Sequence, residues 1–118
     1  MTTKEQRRSP RVEVDFVTVE VYHEHAFTTE QEDFCPVANL SLTGMCFSSE
    51  RDFSHEPFVR LTFQLPESMV IIRATAKIIH TFEDEHRQVF YGVEFENMGA
   101  AEKKEIEHYV QMSIDKTM

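Results

Sequence analysis

Apolar and polar residues alternate along several segments of this chain, and that alternation limits the possible folds more than any other sequence feature. It is clearest over residues 59–65, 70–82 and 89–95, where almost every second residue is aliphatic or aromatic. Because successive side chains of a β-strand point to opposite faces of a sheet, a period of two predicts strands with one buried face. The inward row predicted for the longest strand comprises Val70, Ile72, Ala74, Ala76, Ile78, His80 and Phe82.

The first strand, predicted over residues 12–22, changes phase along its length. Val12, Val14 and Phe16 share one parity, whereas Val17, Val19 and Val21 share the other. Such a shift predicts a β-bulge near residues 15–17, because one extra residue in a strand reverses its two faces. The polar and acidic residues 23–33 then predict a hairpin connection.

Proline and other turn-forming residues divide the remaining strands. Pro36 lies inside the short apolar run 34–38, and since proline lacks a backbone N–H, this run predicts an edge strand or the approach to a turn. Clusters of turn-forming or charged residues follow at 39–44, 66–68 and 83–87. Short turns of this kind favour antiparallel pairing of the strands that they join.

The last segment changes to a helical period. Apolar residues between 106 and 114 recur at helical spacing, and Gly99 with Glu102 three residues later can cap the start of a helix. The predicted class is therefore all-β with one C-terminal helix. Many antiparallel strands close best into a small barrel, since closure removes exposed edges, and the apolar stripe of the helix would plug an end or side of it.

Length, composition and charge exclude several classes of protein. A chain of 118 residues with 41% apolar residues is predicted to be one globular domain. Its net charge of −9 argues against a nucleic-acid polymer as partner. No apolar run approaches the ~20 residues of a membrane span, and no secretory signal is readable, so we expect a cytoplasmic protein that does not insert into membranes. Cys35 and Cys46 are then expected to be reduced and buried thiols.

Positive charge is concentrated at the N-terminus. The first eleven residues carry a net charge of +3, and since the whole chain carries −9, the remaining residues carry −12. Arg7 and Arg11 stand four positions apart, with Pro10 favouring an extended backbone at Ser9. An extended pair of guanidinium groups can grip phosphate or the edge of guanine through paired hydrogen bonds. A solvated basic tail is the simpler alternative.

A second cluster follows about thirty residues later. Asn39 offers a short amide and Ser41 a hydroxyl, while Gly44 has no side chain and would let a flat ligand approach the backbone. Each of these residues is a weak signal when taken alone.

Taken together, Arg7-x-x-x-Arg11 and Asn39-x-Ser41-x-x-Gly44 resemble the two signature motifs of the PilZ domain family. The resemblance extends through the later strands, including Tyr91-Gly92-Val93-Glu94-Phe95, to the C-terminal helix. It implies a six-stranded antiparallel barrel that acts as a receptor for the bacterial second messenger cyclic di-GMP. The domain would cover residues 1–118, with a flexible basic arm (1–11), the barrel (12–97) and the helix (99–116).

Transferred position by position, the resemblance implies that Arg7 and Arg11 clamp the guanine and phosphate groups of the ligand, with Arg8 assisting. Asn39, Ser41 and Gly44 would form the opposite wall. The ligand would order the basic arm, and a downstream protein partner would receive the signal. The motif admits Asp or Asn at its first position, and Asn39 keeps a hydrogen-bond acceptor while giving up a negative charge.

Other functions have weaker support. The alternative to a receptor is an interaction module with the same fold that serves motility or pilus machinery without binding nucleotide. His23-x-His25 has the spacing of metal ligands on a strand, but no third ligand is suitably placed, so no metal or cofactor is expected. No nucleophile with a neighbouring base and no paired carboxylates are readable, so we expect a protein that is not an enzyme.

Overall fold

Over the described residues, the fold is a closed antiparallel β-barrel followed by a C-terminal helix. The computed structural model describes residues 11–14, 17–23, 33–50, 52–53 and 57–117. Its strands are β1 (Val12–Glu13), β2 (Thr18–His23), β3 (Asp33–Leu40), β4 (Gly44–Ser48), β5 (Phe58–Gln64), β6 (Ile71–Glu83) and β7 (Val89–Asn97). They form one sheet in the order β1-β3-β2-β5-β6-β7-β4, which pairing of β3 with β4 closes. Since β1 and β2 both pair with β3 and act as one interrupted strand, the barrel has six strands, and the predicted fold class is confirmed.

The barrel interior is packed with aliphatic and aromatic side chains. Met45 and Phe47 of β4 and Val93 of β7 are almost completely buried. Phe53 follows β4 and is also fully buried, with its ring 5.5 Å from that of Tyr91 and its backbone N–H donating to the Tyr91 hydroxyl at 3.1 Å. The segment after β4 therefore contributes to the core.

Helix α1 (Ala100–Thr117) packs against the barrel with one apolar stripe. Ile106 and Val110 are buried members of the core cluster, and Ser68, before β6, donates a 2.9 Å hydrogen bond to Glu105 of the helix. The described part of the chain contains no helix that is long and apolar enough to cross a membrane.

The first strand changes phase as predicted. Val14 and Val17 are both buried although they lie three positions apart, which a regular strand would not allow. The pairing with β3 shifts by two positions between β1 and β2. Residues 15 and 16, where the bulge was predicted, and residues 24–32 of the predicted hairpin lie outside the described residues.

Of the two predictions for the run around Pro36, the edge strand is wrong, whereas the approach to a turn is right because β3 ends at Leu40, just before a turn. Strand β3 pairs with β1 and β2 on one side and with β4 on the other. Its ladder with β4 begins at Val37, one residue beyond the proline. Val37 donates its N–H to Val17 on the other side, at 3.0 Å. Pro36 thus lies where the β4 ladder has ended, and its missing N–H interrupts no pairing.

The inward orientation predicted for His80 and Phe82 is also wrong. The pairing of β6 with β7 shifts between Ile78 and His80, which marks a β-bulge. Before the shift, Ile78 pairs with buried Val93, whereas beyond it His80 pairs with outward-facing Gly92. The extra residue reverses the phase of β6, so both His80 and Phe82 are exposed.

Candidate functional site

Arg11 and Asn39, one residue from each predicted motif, meet on the outer surface of the barrel. Arg11 precedes β1 and Asn39 lies on β3, and the pairing of Glu13 with Asn39 brings these segments side by side. The Arg11 Nη1 donates a 2.7 Å hydrogen bond to Oδ1 of Asn39, across 28 positions of sequence. Arg11 is exposed and Asn39 is half-buried, so the pair can be reached from solvent.

Ser41 has a different environment. It is only 1% exposed, and its hydroxyl oxygen accepts hydrogen bonds from the backbone N–H groups of Thr43 at 3.3 Å and Gly44 at 3.2 Å. The same hydroxyl lies 3.3 Å from the Gly44 carbonyl, to which it can donate. These bonds fix residues 41–44, hereafter the motif turn, and leave the Ser41 side chain directed into the turn rather than toward solvent.

Gly44 is required by the packing of two strands. It pairs with Glu94 of β7, and a Cβ atom placed on it would lie 2.2 Å from the Val93 carbonyl oxygen, far inside van der Waals contact. Because that oxygen belongs to the backbone of a paired strand, it cannot easily move away. The absence of a side chain at Gly44 lets β4 approach β7, and this requirement holds whether or not a ligand binds at the surface.

Cys46 lies at the centre of this outer surface. It pairs with Asn39 on one side and with Gly92 on the other, and it faces away from its inward neighbours Met45 and Phe47. Burial raises the pKa of the Cys46 thiol, and the nearby positive charge of Arg11 opposes this with a smaller lowering effect. The thiol is therefore kept neutral beneath the arginine. We call the surface formed by Arg11, Asn39, Cys46 and Gly92 the motif face.

The motif face ends at a residue that sequence reasoning missed. Gly92 of β7 carries the imidazole of His80 directly over its backbone, where a Cβ atom would lie 2.4 Å from the ring. The sequence signal was the Gly92 position itself, since glycine inside a strand often marks a close approach by another group. Alternation alone had placed His80 on the opposite face.

The charges around the motif face are mixed among the described residues. Glu13 pairs with Asn39, and Glu94 pairs with both Gly44 and Lys77. The described residues around this surface therefore include carboxylates as well as Arg11, and a doubly negative ligand would need further positive charge. Arg7 and Arg8, the other predicted arginines, lie outside the described residues.

The cysteines and histidines were the other residues considered for site chemistry. Cys35 and Cys46 are buried thiols outside any disulfide, as the sequence predicted. Among the described residues no group of three or more His, Cys, Asp or Glu could hold a metal ion, and His25 lies outside them.

Comparison with known proteins gives a family match and a set of similar folds. A family model for the PilZ domain matches residues 5–112. No curated protein matches the chain. Among solved structures, the inhibitor of motility MotI/DgrA of Bacillus subtilis aligns with a TM-score of 0.78 and 19% identity, over 95% of this chain and 53% of that one.

Two structures solved with cyclic di-GMP are also similar. The PilZ domain of YcgR from Escherichia coli has a TM-score of 0.65 and 13% identity, over 95% of this chain and 94% of that one. PlzA of Borreliella burgdorferi has a TM-score of 0.62 and 7% identity, over 97% of this chain and 55% of that one. At these identities the likeness concerns the fold. The chain spans about half the length of MotI/DgrA and PlzA.

Proposed function

This chain belongs to the PilZ domain family, and on that premise we propose that it is a receptor for cyclic di-GMP that passes its signal to a protein partner. The proposed role is binding rather than catalysis. Its support from outside the chain is that YcgR and PlzA, two proteins of similar fold, were solved in complex with this nucleotide.

The observation that carries the proposal is the 2.7 Å hydrogen bond between Arg11 and Asn39. It joins the last arginine of the first motif to the first residue of the second, at a surface that solvent can reach. A guanidinium has five donors in a planar fork, so Arg11 can keep one bond to Asn39 and direct others to phosphate or guanine. An arginine held in place beforehand loses less conformational entropy when a ligand binds.

The six predicted residues would then act in two ways. Arg7, Arg8 and Arg11 supply positive charge and donors, and Asn39 holds Arg11 and offers its amide. Ser41 and Gly44 contribute through the backbone of the motif turn, because the Ser41 hydroxyl is engaged within the turn and Gly44 has no side chain. The motif turn is the wall against which the arginines would clamp the ligand.

We further propose that the ligand draws the segment around Arg7 and Arg8 over the motif face, since the single positive charge of Arg11 cannot neutralise two phosphates. Such closure is a disorder-to-order switch of the kind used in signalling. Trypsin cleavage after Arg7 and Arg8 should slow in the presence of cyclic di-GMP. Equal cleavage with and without the ligand would contradict this mechanism.

Isothermal titration of the purified protein with cyclic di-GMP tests the receptor proposal, with GMP and cyclic di-AMP as control ligands. We expect saturable binding of cyclic di-GMP alone. Absence of binding at tens of micromolar would instead favour the interaction module that does not bind nucleotide.

Substitution of Arg11 tests the assignment of the site. Arg11→Ala should lower affinity by about 2 kcal/mol, the scale of a charge-assisted hydrogen bond lost from a ligand. Its thermal midpoint should stay close to that of the wild type because Arg11 is exposed. Arg73→Ala, which removes an exposed arginine on the outer face of β6, is the matched control and should bind normally. Normal binding by Arg11→Ala would make the assignment wrong.

A further inference from the structure

The hairpin between β6 and β7 extends beyond the packed barrel. Buried residues alternate along β6 up to Ala76 and Ile78 is half-buried, but residues 79–83 are all exposed. Two large apolar side chains of this projection remain in water, Ile79 at 48% and Phe82 at 46% exposure. An exposed apolar surface on a projecting hairpin is typical of a site for contact with another molecule.

Three rings on the outward face of the hairpin form a continuous stack. The rings of Phe82 and Phe90 lie 5.1 Å apart at 10°, and those of His80 and Phe82 lie 5.8 Å apart at 19°. We call these three residues the aromatic ridge. Because each ring restrains its neighbour, the ridge can bind a partner with little loss of side-chain freedom.

A groove continues this surface toward β3. Phe90 of the ridge pairs with Ser48, and Ser48 accepts a 2.9 Å hydrogen bond from Gln88. Ser48 and Gln88 line a groove that also includes Glu50, Arg87 and Phe34, and Phe34 is 66% exposed. The ridge and the groove together offer apolar contacts on either side of a polar strip, which is room for a segment of several residues.

The rim of this surface is acidic. Glu83 and Glu85 are exposed at the hairpin tip, and Arg87 is the one Lys or Arg among residues 83–88. Asp84 has a structural role, since its carboxylate accepts 2.9 Å hydrogen bonds from the backbone N–H groups of His86 and Gln88. These bonds fix the backbone of the turn between the two strands, next to Glu83 and Glu85.

Charge distinguishes between possible occupants of this surface. A second copy of the chain would bring an identical acidic tip and a net charge of −9 against the first. A basic side chain fits better, because Arg or Lys can lay its aliphatic stem along the rings while its charged end meets the carboxylates. The favoured occupant is a basic, partly apolar segment of another protein.

We propose that the aromatic ridge and the acidic tip of the β6–β7 hairpin form a docking surface for a basic, partly apolar segment of a partner protein. Phe82 is its apolar centre, and Glu83 and Glu85 are its charged rim. The surface requires no nucleotide in order to exist.

The position of the ridge also connects it to the motif face, and this second step rests on the proposed function. His80 lies over Gly92, which pairs with Cys46, which in turn pairs with Asn39. A ligand at the motif face and a partner on the ridge would therefore occupy adjacent parts of one outer surface. Cyclic di-GMP should change the affinity of the partner segment, either by contact or by competition for His80.

The test is an NMR titration of the ¹⁵N-labelled full chain with a synthetic peptide of about twelve residues that alternates arginine with leucine and serine. A matched peptide carries glutamate in place of arginine. We expect saturable shifts concentrated at the hairpin with the arginine peptide and none with the glutamate peptide. Equal binding of both peptides, or shifts spread evenly over the acidic surface, would overturn the proposal.

Two pairs of variants locate the site. Phe82→Ser should weaken the arginine peptide roughly tenfold or more, as expected for the anchor of an interface. Ile71→Ser is its matched control, because Ile71 is also 46% exposed and lies at the other end of the same strand. Glu83→Gln should weaken binding, and exposed Glu107→Gln on the helix should not. Unchanged binding by Phe82→Ser would refute the docking surface.

The two proposals fail separately in this design. Calorimetry with cyclic di-GMP alone tests the receptor, and the peptide titration without nucleotide tests the docking surface. If both bind but peptide affinity is the same with and without saturating nucleotide, the connection through His80 is wrong while the docking surface stands.

Discussion

The motif turn and the Arg11–Asn39 pair lie side by side on the barrel but are built in opposite ways. In the turn, Ser41 is 1% exposed and its hydroxyl binds backbone groups within the same four residues. In the pair, an exposed guanidinium reaches across 28 positions to a half-buried amide. The turn determines the shape of the surface, and the pair presents functional groups at it.

This difference separates two reasons for which a residue can belong to a binding motif. A residue that shapes the backbone should affect the stability of the protein first and its ligand second. A residue that presents a donor should affect the ligand and leave stability nearly unchanged. Substitutions in the two regions should therefore give opposite patterns.

The largest expected effect is that of Gly44→Ala on stability. The new Cβ would meet the Val93 carbonyl oxygen, so β4 and β7 must separate, and we expect a loss of about 3 kcal/mol in the free energy of unfolding. Urea denaturation followed by circular dichroism measures it. Gly92→Ala is the control, because its Cβ meets the side chain of exposed His80 rather than backbone, and displacing a surface ring costs less than separating two strands. Equal losses in the two variants would contradict the role assigned to Gly44.

Ser41→Ala should have the next largest effect. It removes the acceptor for the buried N–H of Gly44 and for that of Thr43, at a cost of about 1–2 kcal/mol of stability. Thr43→Ala, which removes an exposed hydroxyl beside it, should cost much less. If Ser41→Ala kept full stability and lost only cyclic di-GMP binding, Ser41 would be a ligand contact and the distinction between the regions would fail.

A double-mutant cycle on Arg11 and Asn39 should give a smaller value. Both single alanine variants and the double variant are compared by denaturation, and the coupling free energy should be below about 1 kcal/mol because Arg11 is exposed. The same cycle measured on ligand affinity should give a larger coupling. Larger coupling in stability than in binding would indicate that the pair is structural.

The smallest effect concerns the pH dependence contributed by Cys46. Burial raises the pKa of this thiol, so its neutral form is favoured in the folded protein. Its contribution to stability is therefore complete below the ordinary thiol pKa of 9.0 and is lost as the pH rises through the higher folded value. The difference in unfolding free energy between wild type and Cys46→Ala should drift by less than about 1 kcal/mol from pH 7 to pH 10.

The effect of Arg11 on the pKa of Cys46 can be tested separately. Its positive charge partly lowers the pKa of Cys46, so Arg11→Ala should raise that pKa further and slow alkylation of the thiol in the folded protein at about pH 8.5. Alkylation with iodoacetamide followed by mass spectrometry reports it. Faster alkylation in Arg11→Ala would mean that the arginine shields the thiol sterically.

Much of the fold could be predicted because alternation encodes which face of a strand is buried. The strands around residues 59–65 and 89–95, the phase change between Val14 and Val17, and the packing of the helix all follow from periodicity. The bulge in β6 did not follow, since an extra residue next to Ile78 leaves the run of apolar residues uninterrupted. The edge-strand prediction at Pro36 failed because the sequence does not show where the ladder with a neighbouring strand ends.

The sequence supplied candidate residues for the site but not the environment of each residue. The family resemblance implied that the arginines and the Asn39 motif would lie on opposite walls of one ligand site, and the structure brings Arg11 next to Asn39. The resemblance did not indicate that Ser41 would be buried or that Gly44 would face the backbone of β7, because both depend on contacts with residues distant in sequence. The overlap of His80 with Gly92 depended on the same unpredicted bulge.

Closure of the barrel through β3 and β4 has a consequence for its internal dynamics. All five residues of β4 are buried, and the strand is paired with β3 on one side and β7 on the other. Its amide protons should therefore exchange with deuterium only when the whole barrel opens, whereas those of residues 79–83 in the projecting hairpin should exchange through local openings. The amide protons of β4, beneath the motif face, would then be among the slowest to exchange in the molecule. Those of the neighbouring hairpin would be among the fastest to exchange of all strand residues.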